Sequence, residues 1–380
     1  MTFPFDYAAR RAVLSDHMQA AGVDLMFLPP SADLEYLTGM HRRVPAFGNV
    51  GYAHHWAAGA FFAPDHEPVF VLPRMITEFD LPDGVVGEVV TVNEKDDAQR
   101  IVGSVLGRFG TVGTLALGDR TWARSVIELT ALSAPGSFVA AEPVINPMRR
   151  IKTADELALM TEACRLVDGV MAEIEKKVVP GVTELELASE VAYLMRANGS
   201  RTESFDTAVW SMGPLDDRDA TVRVSTQALR AGMGVSFDFG SVVNGYCSDF
   251  GRTVHVGDPG DEYVRVHALV MAAQQAGIDA VRPGVTAAEV HAATRAVIVD
   301  GGYGEHFRHR TGHCIGLDVH ELPYISEEDN TPLEEGMTFT IEPSVFWPGH
   351  VGARVEDVIA CTADGGRKLN EHPTTMVVNG

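Results

Sequence analysis

The sequence predicts a two-domain protein of mixed type, an α/β front domain followed by an internally duplicated catalytic domain. Three observations carry this. The chain has 380 residues, which at about 100–200 residues per domain suggests two. Strand-like and helix-like segments alternate as far as Pro147. Two similar stretches, Pro180-Gly181-Val182-Thr183-Glu184-Leu185-Glu186 and Pro283-Gly284-Val285-Thr286-Ala287-Ala288-Glu289, then follow, offset by 103 residues.

In the front domain, the apolar residues Ala8, Val13, Leu14 and Met18 fall at helical spacing from Tyr7 to Ala21, and Gly22 stops the run before the strand-like Val23–Leu28. Further strands are expected at Gly59–Phe62, Pro68–Leu72, Val89–Val92 and Leu115–Leu117, with helices around Asp97–Phe109 and Ala123–Leu132. Alternation of this kind points to an α/β domain over residues 1–150. From Thr153 to Lys177 a long amphipathic helix is expected, with Leu157, Met160, Ala163, Cys164, Val167, Val170, Met171 and Ile174 on its apolar face. A second long helix, Tyr263–Val281, precedes the second Pro-Gly stretch. In both stretches the Thr is placed to cap a helix and the Glu three residues on completes a capping box. The matched order predicts a duplicated domain over 151–380, with a cleft between its halves as a natural site.

Composition narrows the function. Hydrophobic residues make up 46% and charged residues 22%, which fits an ordinary globular protein. The 52 Asp and Glu against 30 Lys and Arg give a formal charge of −22, a poor match for nucleic acid. Residues 1–150 hold 17 acids and 12 bases (net −5), leaving 35 acids and 18 bases (net −17) for the remainder, so the second domain tolerates or uses carboxylates. The N-terminus lacks the pattern of a signal peptide, and no stretch approaches the roughly 20 apolar residues of a membrane span. A cytoplasmic location without membrane association is expected. Cys164, Cys247, Cys314 and Cys361 are far apart and read as buried small hydrophobes in a reduced compartment.

The chemistry concentrates in five places. Asp238 sits in the apolar strand Val235–Gly240, and the turn signal Asn244-Gly245 leads to a return strand, Tyr246–Phe250, carrying Asp249. Side by side in a buried setting, the two carboxylates would repel unless they shared a proton or bound a cation. His309, His313 and His320 fall within twelve positions among glycines. Glu342 ends the apolar strand Met337–Ile341, and Arg354 and Glu356 share a strand face by the period of two. Four carboxylates and an imidazole in apolar strands make sense as a cage for two divalent metals. Oxygen-rich ligation with one imidazole suits Mn²⁺, and also Co²⁺, Fe²⁺ or Zn²⁺, and two such metals can perform metal-assisted hydrolysis.

The order Asp238, an eleven-residue step to Asp249, His313 in HRTGHCIGLDVHE, Glu342 in TIEP and Glu356 in GARVED resembles the creatinase/aminopeptidase P/prolidase family, the pita-bread metallopeptidases. The resemblance covers residues ~151–375; residues 1–150 are compatible with the family's N-terminal α/β domain. It implies a pita-bread catalytic domain with an internal pseudo-twofold and a dinuclear hydrolase of the Xaa-Pro dipeptidase type, cleaving a peptide or amide bond in a small substrate. Asp238, Asp249, His313, Glu342 and Glu356 would be the metal ligands, with Asp249 and Glu356 bridging. Glu342 would also be the general base on a metal-bridging water, and His320 would stabilise the scissile carbonyl or tetrahedral intermediate. His309 would line the substrate pocket, Arg354 would orient the bridging carboxylate or the substrate, and a homodimer is expected.

One departure stands out. The family usually places a His some seventeen residues before the first Asp ligand, whereas this chain has none from Glu67 to Val254. Either His54 or His55 of the front domain, from the same or a partner subunit, fills the space, or Asp216, Asp217, Arg218, Asp219 or Arg223 reads a different polar group on the substrate. The departure keeps two rivals open: a non-peptidase of the same fold acting on a C–N or C–S bond of a small metabolite, and a catalytically inactive interaction module. The aromatic stretch Tyr52–Trp56 reads as packing, and the acidic runs Glu327-Glu328-Asp329 and Glu334-Glu335 as solvated turns.

Overall fold

A computed structural model describes residues 5–42, 52–81, 85–214 and 218–380. The chain divides into two compact units, Met1–Arg149 and Arg150–Gly380.

The first unit is built on a six-stranded sheet in the order Glu88–Val92, Val69–Pro73, Gly59–Phe62, Leu25–Leu28, Thr114–Leu117, Ser137–Ala140. Leu25–Leu28 pairs antiparallel with Gly59–Phe62 and parallel with Thr114–Leu117, so the sheet is mixed. Its strands are short apolar runs, and Phe27 and Phe61 meet at 5.0 Å in the core. The expected helices are present as Tyr7–Ala21, Ala98–Leu106 and Ala123–Ser133. Helices Ala32–Thr38 and Arg74–Phe79, seven and six residues long, are too short to announce themselves by periodicity. The last helix, Glu142–Arg150, runs on through Pro147, and Arg149 ion-pairs with Asp33 at 2.5 Å. Trp56 is buried in this core, in keeping with packing. His54 turns to the Glu94 carbonyl at 3.2 Å, and His55 lies edge-on to Trp122.

The second unit repeats one plan twice. Helices of 21 and 14 residues, Ala154–Ile174 and Glu184–Ala197, are answered by Gly260–Ala280 and Ala287–Asp300, again 21 and 14. Thr183 with Glu186, and Thr286 with Glu289, both form complete capping boxes. Gly181 and Gly284 adopt φ of 92° and 90°, a conformation that side chains resist. Both then donate to matching carbonyls, Leu229 O at 2.9 Å and Leu333 O at 2.8 Å. Local chemistry therefore builds the same turn in each copy.

Each helix pair covers a sheet. In the first half the strands run Val377–Asn379, Phe250–Val256, Met233–Phe239, Ala208–Met212, and in the second Glu321–Ile325, Gly312–Cys314, Thr338–Ile341, Asp357–Thr362, Gly365–Lys368. Phe237, Phe239 and Phe250 pack against Val167, Val170 and Met171 of the covering helix. Strand alternation then turns Asp238 to the opposite face. The second half places Phe339, Ile341 and Ile359 against Ile278 and Val290 in the same manner.

The Asn244-Gly245 turn differs from expectation. It closes only a small ribbon, Val242–Val243 with Tyr246–Cys247, while the long pairing joins Met233–Phe239 to Phe250–Val256 with Phe239 opposite Phe250. The cause lies at the pinch between ribbon and sheet. The Ser248 hydroxyl accepts from Ser241 N at 3.0 Å, and a Cβ on Gly240 would lie 2.0 Å from the Ser248 carbonyl. Asp249 thus precedes its strand by one residue.

Because each repeat is stapled by its own cap, Thr286→Ala is expected to cost about 1 kcal/mol. Urea unfolding should show a lower midpoint at unchanged slope; an unmoved midpoint would contradict the role given to the cap.

Candidate metal centre

The two sheets deliver their acidic residues to one place. Asp238 comes from the middle of its strand and Asp249 from the pinch beside it, while His313, Glu342 and Glu356 come from the second half. Glu356 lies in the gap between Val351–Arg354 and Asp357–Thr362, where its backbone bridges to Gly251, with Glu356 N donating to Gly251 O at 3.0 Å. Gly251 is required for this approach, since a Cβ there would sit 2.9 Å from both the Glu356 carboxylate and the Arg354 side chain.

Behind the gap, Arg252 donates to the Glu356 and Gly251 carbonyls at 2.7 and 2.8 Å and to Asp357 at 2.6 Å; Gln274 and Lys368 also hold Asp357. A buried, fully paired network of this kind fixes the backbone that carries Glu356.

Asp238, Asp249 and Glu356 each offer an oxygen, all within 4.8 Å of one another, and all three side chains are buried. His313 extends the group, its Nε2 lying 3.3 Å from Asp249 and 3.5 Å from Glu342. The other ring nitrogen, Nδ1, donates to the Cys314 carbonyl at 3.1 Å. That bond leaves the Nε2 lone pair directed at the carboxylates, as a metal-ligating imidazole needs. Thr340, two positions before Glu342 on the same strand, donates to Glu342 at 3.2 Å and accepts from His313 N at 3.1 Å, so one hydroxyl sets both.

A cation of the protein's own ion-pairs with this group. Arg354 pairs with Asp238, and lies 3.4 Å from Glu342 and 3.5 Å from Glu356. Its closest partner is Asp238, and Glu356, one of the carboxylates expected to bridge, is also within reach. The Thr253 hydroxyl accepts from Arg354 N at 2.9 Å and donates to Arg354 O at 3.1 Å, pinning the residue to the neighbouring strand.

Four carboxylates and one guanidinium sum to −3 if all are ionised. Burial pushes the carboxyl of Asp249 up to about 8, helped by Glu342. It also raises Glu356, with Asp249 adding to the shift, and raises Asp238 in spite of Arg354. Burial disfavours the Arg354 cation, yet Asp238, Glu342 and Glu356 hold it above the ordinary arginine range.

Two atoms register what the cluster lacks: Asp249 Oδ1 and Glu356 Oε2 are buried with no hydrogen-bond partner. Orphaned carboxylate oxygens are costly, and their convergence with an imidazole lone pair fits an oxygen-rich divalent metal site. Two divalent cations would bring the sum to +1.

The cluster forms the floor of a cavity of ≈ 960 Å³. His309 and His320 also line it. Burial lowers His309 to about 3 and His320 to about 4, so both are neutral near pH 7. His309 donates from Nδ1 to the Arg310 carbonyl at 2.7 Å and accepts at Nε2 from Ser344 Oγ at 2.5 Å. The ring of His320 stands edge-on to His313 at 4.1 Å. A buried Lys152–Glu321 pair at 3.0 Å holds the adjoining loop, with Glu321 accepting from Asp318 N.

Of the residues weighed in place of the missing His, Asp216 and Asp217 lie outside the described residues, and Arg223 lines the cavity. Arg218 turns away to the buried Glu184, and Asp219 to Arg308. Glu327 and Glu328 are exposed, as expected of a turn, but also line the cavity. Sequence reasoning missed Arg295, Arg308, Arg310 and His291 in the lining, and it missed Thr340, whose place two residues before Glu342 on the same strand was a usable signal.

Comparison with known proteins places this geometry. Residues 158–363 match the profile of metallopeptidase family M24. A probable dipeptidase, PepE, of Mycobacterium bovis is 34% identical over 378 residues, covering 98% of this chain and 96% of its own. The Xaa-Pro dipeptidase of Pyrococcus furiosus is 38% identical over 237 residues, 62% of this chain and 67% of its own. Among solved structures, the prolidase of Thermococcus sibiricus superposes with a TM-score of 0.90 at 30% identity, over 99% of this chain and all of that one.

The raised carboxyls predict that divalent metal binding at pH 7 releases at least one proton per chain. Calorimetry with Mn²⁺ in two buffers of different ionisation enthalpy measures this, and zero release would contradict the shifts. Linkage gives a second expectation. The folded apo-protein keeps the Asp249 proton from roughly pH 4, where an unfolded Asp loses it, up to about 8. The native state then binds more protons, so this group makes chelated protein less stable as pH rises through that window. Chelated Asp249→Asn should show a shallower decline in melting temperature, and equal slopes would count against the account.

Proposed function

This chain belongs to metallopeptidase family M24, and from that premise we propose that it hydrolyses Xaa-Pro dipeptides with two divalent ions, Mn²⁺ by the oxygen-rich donor set, in the cavity over Asp238. As a member of that family it is a metal-dependent hydrolase. The single observation that carries the reading is the meeting of Asp238, Asp249 and Glu356 with the lone pair of His313.

Asp238 would hold one ion, His313 and Glu342 the other, and Asp249 and Glu356 both. When bound, the ions supply Lewis-acid polarisation of the scissile carbonyl and lower the pKa of water. The chain's own residues do the rest. The Glu342 carboxylate, oriented by Thr340 and Arg354, accepts the proton of the attacking water and passes it to the departing nitrogen. His320, neutral at working pH, donates a hydrogen bond to the oxygen on which charge develops, and needs no proton loss or gain to do so. Arg354, paired with Asp238 and within reach of Glu342 and Glu356, keeps the three carboxylates in register. His309, locked between Arg310 and Ser344, shapes the wall against which the substrate lies.

Small size of substrate is supported by the relatives' names and by the cavity. Among the described residues no helix is long and apolar enough to cross a membrane, and all four cysteines are free and buried. A cytosolic protein fits these features. The homodimer rests on the family resemblance alone, and size-exclusion chromatography with light scattering decides it.

Hydrolysis of an Xaa-Pro dipeptide panel with Mn²⁺ present tests substrate class: turnover of several members is expected, and none with metal bound would remove the proposal. Asp249→Ala is expected to abolish turnover and to lower metal occupancy. His320→Ala should lose about 10²–10³-fold in kcat while retaining metal. If that variant also lost metal, His320 would have been given the wrong task.

A further inference from the structure

We propose that the Arg308–Asp219 ion pair is a specificity determinant, a strap across the rim of the cavity that admits dipeptides and holds back longer chains. The inference rests on the peptidase reading above and adds to it the residues that set substrate length.

The cavity lies between the two halves of the catalytic unit, with Asp238 and Asp249 contributed by the first and Phe307, Arg308 and His309 by the second. Arg308 is in the lining and also open to solvent, its side chain 42% exposed beside 36% for Asp219, which puts the pair at the rim. Asp219 comes from the first half, so the contact runs from one wall to the other. It is a fork, with Nη1 2.9 Å from Oδ2 and Nη2 3.2 Å from Oδ1. The Arg354–Asp238 and Arg252–Asp357 pairs also join the halves, but both are buried. When the Arg308–Asp219 pair opens, both of its charges return to water.

Each partner is presented on fixed backbone. Arg308 stands between the buried Phe307, whose carbonyl accepts from Arg295 at 3.1 Å, and His309, held by Arg310 and Ser344. Next to Asp219, Arg218 donates to the buried Glu184 at 3.0 Å, and Glu184 also accepts from Ser211 N at 2.6 Å and Ser225 N at 2.8 Å. Glu184 therefore clamps both ends of the segment that carries Asp219 to the neighbouring strand. Within that segment the Asp219 carboxylate accepts from Thr221 N at 2.9 Å, which aims it. Anchoring of this kind, with the planar fork of an arginine, reduces the side-chain entropy that an exposed pair usually loses. Arg308 in turn holds the Asp219 carboxyl below the ordinary carboxylate range, so the pair is charged at neutral pH.

Magnitude decides what such a pair can do. An exposed ion pair shifts an equilibrium by about fivefold at most, which is too little to hold the halves together and enough to bias a rim between closed and open. A dipeptide over the metal centre ends inside the rim. Each further residue adds roughly 3.5 Å of chain, and that chain has to leave the cavity where Arg308 and Asp219 meet. Longer peptides therefore need the pair open, and dipeptides do not.

The test uses the Mn²⁺-loaded full chain with Ala-Pro, Ala-Pro-Ala and Ala-Ala-Pro, in wild type, Asp219→Ala, Arg308→Ala and the double variant. In Asp219→Ala the ratio of kcat/KM for at least one tripeptide to that for Ala-Pro should rise about fivefold, with Ala-Pro kinetics within about twofold of wild type. The double variant should gain no more than Asp219→Ala, because both substitutions remove one interaction. High salt screens an exposed pair, so added NaCl should raise the ratio in wild type and leave it unchanged in Asp219→Ala, a response that a merely structural role would not give. An unchanged ratio in Asp219→Ala, additive gains in the double variant or a wild-type ratio indifferent to salt would each overturn the strap. Turnover of Ala-Pro by the wild type tests the peptidase reading separately. If no peptide is cleaved, calorimetric binding of the same three peptides reads the strap: tripeptide affinity that rises relative to Ala-Pro in Asp219→Ala supports it, and unchanged relative affinities overturn it.

Discussion

Four buried carboxylates meet at the Arg354 guanidinium, and the remainder of the catalytic unit is arranged to make that tolerable. An isolated ionised carboxylate out of water is among the least stable things a protein can contain. Here burial and mutual repulsion raise Asp238, Asp249 and Glu356 together, and Arg354 offsets only part of the charge. Protonation can relieve the apo-protein, at the expense of leaving Asp249 Oδ1 and Glu356 Oε2 without hydrogen-bond partners. Divalent cations would neutralise the carboxylates and give the two oxygens a partner. The function of the protein is thus contained in an electrostatic debt that its fold does not settle alone.

The duplicated architecture is what makes such a cluster possible. A single sheet could bring two acids together, as Asp238 and Asp249 come together across the Ser248 pinch. Glu342, Glu356 and His313 arrive from the second half, whose own apolar cluster backs their strands against the repulsion. Each half has its own apolar core, Phe237 with Val167 in one and Phe339 with Val290 in the other, and meets its counterpart through the Gly251–Glu356 backbone bridge. The Arg252–Asp357 pair behind that bridge keeps the backbone still while the side chains in front are free to take a ligand.

Much of this was legible in the amino-acid sequence because it depends on local rules. Pro-Gly followed by Thr and Glu three residues on writes the same capped turn at Thr183 and Thr286, and the period of two brings Arg354 and Glu356 to one side although their strand is broken between them. Acids inside apolar strands stood out because nothing else in the pattern excuses them. The parts that were not legible depend on contacts distant in sequence. Asn244-Gly245 signalled a hairpin but not which strands the turn would join, since Gly240 and Ser248 decide that by close approach. The lining arginines gave no sign of which was committed and which was not. Arg218 and Arg223 are five residues apart, yet Glu184, distant in sequence, engages one and leaves the other facing the cavity.

If the cleft is shaped by the need to neutralise buried carboxylates, then cations are part of the folded molecule and not an accessory to it. The metal content of the purified, unchelated protein, measured by elemental analysis against protein concentration, tests this most directly. The account predicts about two divalent ions per chain, falling below one in Glu356→Ala. A chain that folds, stays soluble and holds no metal near pH 7 would contradict it.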